Sequence, residues 1–200
     1  FAPAFGHEFM DGAYWSIALE LIFYFWVFVF LTLGLFERRC ERIILCWLLV
    51  SLVNELFLGL KPVRLLFLTE YAGFFAAGVL TYRLRAGKAG FAAMPLLALS
   101  FAVSVQTSLA GVKLIAANYE TEYSALATAL TVAGAFALFG AATRPSGARA
   151  PARLLELAGA VTYPLYLIHQ HVGYIAITRL NETMSGGALL ALVIGGLVLA

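Results

Sequence analysis

The chain has 200 residues, of which 62% are hydrophobic and only 12% are charged. Soluble domains are typically about 45–50% apolar and about 25% charged, so this composition argues against a soluble protein and predicts an integral membrane protein. The net charge of +2 is too small to suggest a nucleic-acid partner. Cys40 and Cys46, the two cysteines, lack the spacing of a metal site and the number of a disulfide framework.

Apolar runs recur along the chain at the length that a bilayer requires, which is about 20 residues for a helix. Six runs approach this length and a seventh is truncated; they cover residues 13–36, 43–60, 65–82, 90–110, 123–142, 154–180 and 187–200. The predicted fold is therefore all-α, a polytopic transmembrane helix bundle with six full spans plus a truncated seventh.

The two ends of the chain suggest that it is a piece of a longer protein. The opening residues, FAPAFGHEFM, do not begin with Met and lack the basic start and apolar core of a signal peptide. The closing residues, ALLALVIGGLVLA, stop inside an apolar run. We therefore expect residues 1–200 to be a fragment of a single membrane-embedded domain, incomplete at both ends.

Basic residues divide unequally between the connections. Connections after odd-numbered runs hold nine of the 13 Lys and Arg residues, and those after even-numbered runs hold four. The positive-inside rule then places the larger set in the cytoplasm and the N-terminal segment outside. The larger set is Arg38, Arg39, Arg42, Arg83, Arg85, Lys88, Arg144, Arg149 and Arg153. The outer set is Lys61, Arg64, Lys113 and Arg179.

The first run carries a stripe of polar residues. Ser16, Glu20 and Tyr24 are four residues apart, which puts them on one face of a helix whose other faces are apolar. An ionisable group inside a bilayer costs several kcal/mol and usually marks a functional site or a polar cavity. Glu20 is therefore a candidate functional residue.

A second polar face is predicted in the sixth run, within VTYPLYLIHQHVGY. Thr162, Tyr166 and His169 share this face, and Pro164 is expected to kink the helix. Glu20 lies about 10 Å and His169 about 16 Å below the outer ends of their runs, so the two faces are similar in depth.

Three further polar residues, Glu55, Glu70 and Gln106, lie toward the same outer half. Polar groups from five runs thus predict a chamber that opens outward. Plainer interpretations remain open. Glu55 and Glu70 are near run ends, where an interfacial carboxylate needs no function, and His169 is equally well a structural hydrogen-bond partner.

Two segments resemble the acyltransferase-3 family of membrane O-acyltransferases. DGAYWSIALELIFY, residues 11–24, is similar to the family pattern D-G-x-x-W-S/T-L-x-x-E-x-x-F-Y, with Ile17 in place of Leu. GAVTYPLYLIHQHV, residues 159–172, is similar to the family segment G-x-x-S/T-Y-P-L-Y-L-x-H. A vaguer third likeness is YAGFFAAGVLTYR, residues 71–83. The order and spacing of the three segments agree with the family.

The resemblance implies a multi-pass enzyme of the bacterial inner membrane. Such an enzyme moves an acyl group, usually acetyl, from cytoplasmic acyl-CoA to a hydroxyl of an extracytoplasmic glycan, lipopolysaccharide or peptidoglycan. Glu20 and His169 match family motif residues and are expected to be catalytic. The residues expected to contact substrate are Trp15, Ser16, Tyr24 and Tyr166. Acyl-CoA is the co-substrate, membrane lipid surrounds the chain, and no bound cofactor or metal is expected.

The chain departs from the family in one respect. The family carries a basic residue and a His in its first helix, and no such pair is present here, so the fragment alone is expected to be inactive. Arg83 and Arg85 are either contacts for the anionic CoA or determinants of topology alone. The alternative function is a proton-coupled membrane transporter, in which Glu20 and His169 would be proton or substrate ligands.

Overall fold

The computed structural model describes residues 14–120 and 122–143, together with Arg179. Every regular element in these two ranges is a helix, which confirms the predicted all-α class for this part of the chain. The chain divides into two compact units, one formed by Phe1–Leu21 and Gly147–Ala200 and the other by Ile22–Ser146. Nearly all of the described residues belong to the second unit.

Six α-helices and one π-helical turn follow one another in the described ranges. They are α1 (Tyr14–Thr32), α2 (Leu35–Val53), the π-helical turn (Asn54–Leu58), α3 (Lys61–Phe67), α4 (Ala72–Arg85), α5 (Ala93–Tyr119) and α6 (Ala125–Thr143). Gly34 (φ 64°) stands between α1 and α2, and Gly59 (φ 61°) ends the π-helical turn. Glycine has no Cβ to clash at positive φ, so it reverses or ends a helix at little cost.

The boundary between the first two runs differs from the prediction. The sequence predicted an apolar run to residue 36 and then a charged connection, whereas α1 ends at Thr32 and α2 begins at Leu35. The segment ERRCER is therefore helical, with a kink at Arg39. The left-handed Gly34 explains the difference, because it joins the two helices directly and leaves no loop for the charges to occupy.

The third predicted run is divided into two helices. Leu68 takes a left-handed conformation (φ 51°), and a turn over residues 69–71 separates α3 from α4. Pro62 lies in the first turn of α3, where its missing N–H has no helical partner to lose. The KPVR segment, predicted as a connection, is consequently the start of α3.

Two segments of the described residues are long and apolar enough to cross a membrane. They are Lys61–Arg85 and Ala93–Asn118. Ser16–Thr32 and Ala125–Ala141 are apolar helices of shorter length. These segments support membrane association, but they do not amount to six full spans. Apart from Arg179, the runs predicted over 154–180 and 187–200 lie outside the described residues.

The core of the second unit lies where α2, α4 and α5 meet. Its buried residues are Cys40, Ile44 and Leu48 from α2, Ala72, Ala76 and Leu80 from α4, and Leu96 and Val103 from α5, with Ala93 at the start of α5. The four-residue spacing within α2 and α4 gives each helix a single buried stripe. The buried stripe of α4 begins with two alanines. Their small side chains let the backbones of neighbouring helices approach closely.

Within this core, α4 and α5 approach each other closely at Gly73. A Cβ built on Gly73 would lie 2.5 Å from the carbonyl oxygen of Ser100 and closer still to Ser104 Oγ. Ordinary Cβ contacts are much longer, so glycine is required at this crossing. The same α5 face carries Thr107, which is also buried.

Candidate functional site

Three of the predicted site residues lie on α1. Ser16, Glu20 and Tyr24 occur at four-residue intervals in this continuous helix and therefore share one of its faces. Ser16 is half-buried, whereas the side chains of Glu20 and Tyr24 are exposed. Trp15 belongs to the first turn of α1, and its side chain lies outside the described residues.

Tyr166 and His169 lie outside the described residues. The sharing of one cavity by Glu20 and His169 therefore stays a prediction, as do the substrate contacts of Tyr166. Within the described ranges, no salt bridge or hydrogen bond to the Glu20 carboxylate is found. An exposed carboxylate without an ion-pair partner on an apolar helix is available to pair with a group brought to it by another part of the protein.

A dense polar cluster lies where the π-helical turn, α3 and the start of α4 converge, and we call it the Arg64 cluster. Arg64 contacts Glu55 through two hydrogen bonds, from Nε at 3.2 Å and from Nη2 at 2.8 Å. Its Nη1 also lies 3.3 Å from Glu70 Oε1. The Thr69 hydroxyl and Asn54 Nδ2 donate to Glu55 as well. One guanidinium thus bridges two carboxylates.

The local sequence explains how the Arg64 cluster forms. Gly59 ends the π-helical turn in a left-handed conformation, and its N–H donates to the Asn54 carbonyl at 2.7 Å. The fully buried Asn54 side chain accepts the N–H of Leu60 at 3.0 Å, which fixes the direction in which the chain leaves the turn. This reversal carries α3 back past the turn, so Arg64 meets Glu55.

Sequence reasoning named Glu55 and Glu70 but did not predict their pairing through Arg64. From the sequence alone, Arg64 is one of the outer topology charges, and no pattern singles out Thr69. A signal for the pairing is present in the sequence, because Gly59 and Pro62 mark a chain reversal with an acid before it and a base after it. The hydrogen bonds to Glu55 and the ion pair to Glu70 connect the π-helical turn, α3 and the turn before α4, so the cluster stabilises this helix junction.

Arg64→Gln is expected to lower the free energy of unfolding by about 2 kcal/mol. The change leaves the Glu55 carboxylate, which is only 8% exposed, without its cation. Removing one partner of a fully buried pair costs about 3–5 kcal/mol, and the 36% exposure of the Arg64 side chain reduces this figure. Thermal unfolding in detergent measures the effect, with the exposed Lys61→Gln in the same helix as the control. Equal stability of the two variants would contradict the structural role assigned to Arg64.

A second charged cluster joins the start of α2 to the end of α4. The nearly buried Arg83 donates from Nη2 to the Lys88 carbonyl at 2.8 Å and from Nη1 to the Phe36 carbonyl at 3.4 Å. Glu37 lies 3.8 Å from Arg83 and pairs with the Lys88 ammonium at 3.2 Å. Because the Arg83 guanidinium is held by backbone carbonyls, it holds the two helix ends together and does not extend toward a ligand.

The two cysteine thiols are free and differ in exposure. Cys46 is exposed, whereas Cys40 is buried. Burial raises the pKa of the Cys40 thiol, although the nearby Arg83 favours the thiolate. A reactive cysteine needs a lowered pKa, so Cys40 lacks the environment of a nucleophile that would carry an acyl group.

In comparisons with known proteins, no family model, no curated protein and no solved structure matches the chain. A functional assignment therefore has to be argued from the motif residues, from the helices that carry them and from the charges around them. Among the described residues, Glu20 is the predicted catalytic group for which this argument can be made.

Proposed function

We propose that the complete protein is a membrane O-acyltransferase of the bacterial inner membrane. It moves an acyl group, most simply acetyl, from cytoplasmic acyl-CoA to a hydroxyl of an extracytoplasmic glycan, lipopolysaccharide or peptidoglycan. The observation that carries the proposal is the motif helix α1, which presents the exposed Glu20 and Tyr24 at the spacing of one face. The resemblance of residues 11–24 and 159–172 to acyltransferase-3 motifs supports the same conclusion.

The reaction exchanges a thioester for an oxygen ester. The acceptor hydroxyl forms a C–O bond to the acyl carbonyl carbon, and the C–S bond to CoA breaks. A His takes the hydroxyl proton as the bond forms and returns it to the departing CoA sulfur, a role that suits imidazole because its ordinary pKa is near neutral pH. Glu20 accepts a hydrogen bond from the other ring nitrogen of this His, fixes its tautomer and stabilises the imidazolium. His169, or a His from outside this chain, is the partner.

A proton-coupled transporter is the second candidate, and the Arg64 cluster is the observation that favours it. Glu55, which precedes the candidate span Lys61–Arg85, and Glu70, which lies within it, share one guanidinium. Carboxylates paired with a basic group within membrane helices are found in proton pathways. Protonation of one carboxylate would release Arg64 from it, which is the kind of local switch that a transporter uses.

Proteoliposomes that contain the complete protein distinguish these two functions. An acyltransferase incorporates labelled acyl groups from acyl-CoA into the acceptor and shows no proton flux without it. A transporter acidifies or alkalises the lumen when its substrate is supplied, in the absence of any acyl-CoA. Ester formation is the result expected from the proposal, and proton-coupled uptake without ester formation would overturn it.

The predicted orientation is tested by cysteine labelling in the complete protein with Cys40 and Cys46 replaced by Ala. Ala86 is exposed between basic residues that are predicted to be cytoplasmic, and Glu122 is exposed in the connection between α5 and α6. Ala86→Cys is expected to be shielded from an impermeant external maleimide, and Glu122→Cys is expected to be labelled. The reverse labelling pattern would show that the orientation is wrong.

A further inference from the structure

A groove of about 490 Å³ runs between α1 and α2, and we call it the α1–α2 groove. Aromatic rings make up much of its lining, including Phe23, Trp26, Phe30, Trp47 and Phe67. The two indole N–H groups are already used, since Trp26 donates to the Leu66 carbonyl at 2.8 Å and Trp47 to the Phe67 carbonyl at 2.6 Å. The groove therefore offers a ligand an apolar surface of ligand-binding size.

Among the described residues, Arg39 and Arg42 from the N-terminal part of α2 are the charged residues that line the groove, and no described carboxylate lines it. The acids of the same segment point elsewhere. Glu41 accepts the N–H groups of Gly90 at 2.5 Å and Ala92 at 3.3 Å. Among the described residues, no salt bridge or hydrogen bond engages Arg39 or Arg42.

Glu37 is likewise engaged on the side of α2 away from the groove, by the Lys88 ammonium. In α2, the acidic side chains therefore face the connection between α4 and α5, whereas Arg39 and Arg42 face the groove. An apolar channel next to two cations that have no ion-pair partner among the described residues complements a ligand that carries an apolar chain and an anionic group.

We propose that the α1–α2 groove binds an anionic phospholipid, with one acyl chain along the aromatic surface and the phosphate at Arg39 and Arg42. The positive-inside assignment places these arginines on the cytoplasmic side, where anionic lipids give the membrane surface its negative potential. Basic pockets between helices on that side are typical sites for anionic lipid headgroups. The proposal rests on the membrane embedding in the proposed function but not on acyl transfer.

A phospholipid fits this groove better than acyl-CoA does. In a phospholipid, only glycerol and an ester separate the phosphate from the first carbons of the chain. In acyl-CoA, a long arm with two amides separates the phosphates from the acyl carbon, and burying amides without hydrogen-bond partners is costly. Next to Arg39 and Arg42 the groove lining is apolar, so it provides for the chain of a lipid and not for the polar arm of CoA.

Tryptophan fluorescence tests the proposal directly, because bromine atoms on a lipid chain quench indoles that they touch. Trp15→Phe leaves Trp26 and Trp47 as the two remaining indoles of the chain's three. The full chain in detergent micelles is titrated with brominated phosphatidylglycerol or with brominated phosphatidylcholine. The anionic lipid is expected to quench at a mole fraction roughly tenfold lower, since each basic residue near an anionic headgroup favours binding severalfold.

Matched variants separate the groove from general surface charge. Arg39→Gln with Arg42→Gln is expected to abolish the preference for the anionic lipid, and replacement of both by Lys is expected to keep it. Arg38→Gln removes an exposed charge of the same segment that does not line the groove, and it should leave the preference intact. Cys46→Phe, which fills the groove, should weaken quenching by both lipids.

The outcomes that would overturn the proposal are distinct from a failure of acyl transfer. Equal quenching by the two lipids, or a preference that survives the double Gln variant, would show that the arginines bind no headgroup. Displacement of brominated phosphatidylglycerol by oleoyl-CoA at lower concentration than by unbrominated phosphatidylglycerol would assign the groove to the acyl donor instead. None of these measurements depends on enzymatic turnover. The lipid-binding proposal is therefore tested independently of the catalytic assignment.

Discussion

Glu20→Gln in the complete protein is expected to reduce acyl transfer by about a hundredfold or more, as is found for other orienting and acid–base groups. Gln keeps the size and hydrogen-bonding capacity of Glu but cannot stabilise an imidazolium. The rate of ester formation from labelled acyl-CoA is the measurement, made on protein whose expression and membrane insertion match the wild type. Because the Glu20 side chain is exposed, its replacement should not disturb packing.

Two further variants show whether a loss of activity in Glu20→Gln is particular to Glu20 and which His is the base. Glu122→Gln removes another exposed carboxylate, outside any helix, and should leave the rate of ester formation unchanged. His169→Ala should reduce the rate as strongly as Glu20→Gln if His169 is the base, and less if the base is a His outside this chain. A well-inserted Glu20→Gln enzyme with wild-type turnover would show that Glu20 is structural.

Gly73→Val is expected to be strongly destabilising, with a loss of about 3 kcal/mol in the free energy of unfolding. The new side chain would start 2.5 Å from the Ser100 carbonyl oxygen, which belongs to the backbone of α5 and cannot rotate away. The two helices would have to separate at this crossing. Thermal unfolding in detergent, followed by intrinsic fluorescence, measures the loss.

Gly78→Val is the matched control for Gly73→Val. Gly78 lies in the same helix, α4, and a Cβ built on it meets nothing within 4 Å. Both substitutions replace a glycine of α4 by the same residue, so the difference between them reports mainly the steric clash at Gly73. If the two variants unfolded at the same temperature, the close approach of α4 and α5 at Gly73 would be wrong.

The helical class followed from the sequence because it depends on local properties. Long apolar runs with few charged residues favour helices wherever they occur, and α1, α5 and α6 lie within or overlap the predicted runs. The boundaries were harder to predict. Gly34 and Leu68 both take left-handed conformations, but only the glycine is a recognised signal for one. The division of Lys61–Arg85 into α3 and α4 at Leu68 therefore depends on tertiary contacts that the sequence does not display.

The candidate site likewise has features that follow from the sequence and features that depend on the fold. The shared face of Ser16, Glu20 and Tyr24 follows from helical periodicity alone, so a sequence is sufficient to place it. The bridging of Glu55 and Glu70 by Arg64 requires a chain reversal with a definite geometry, which the π-helical turn supplies. The inward position of Arg83 likewise depends on how α4 packs on α2, and a count of basic residues cannot distinguish it from an exposed topology charge.

The acyltransferase assignment is tested most directly by measuring whether a labelled acyl group moves from acyl-CoA inside a vesicle to an acceptor outside it. Vesicles that contain the complete protein and expose the acceptor only on their outer face are loaded with acyl-CoA labelled in its acyl group. The assignment predicts that label appears outside as a base-labile ester on the acceptor, and that Glu20→Gln vesicles form almost none. External label that is never esterified, or no transfer by well-inserted wild-type protein, would contradict it.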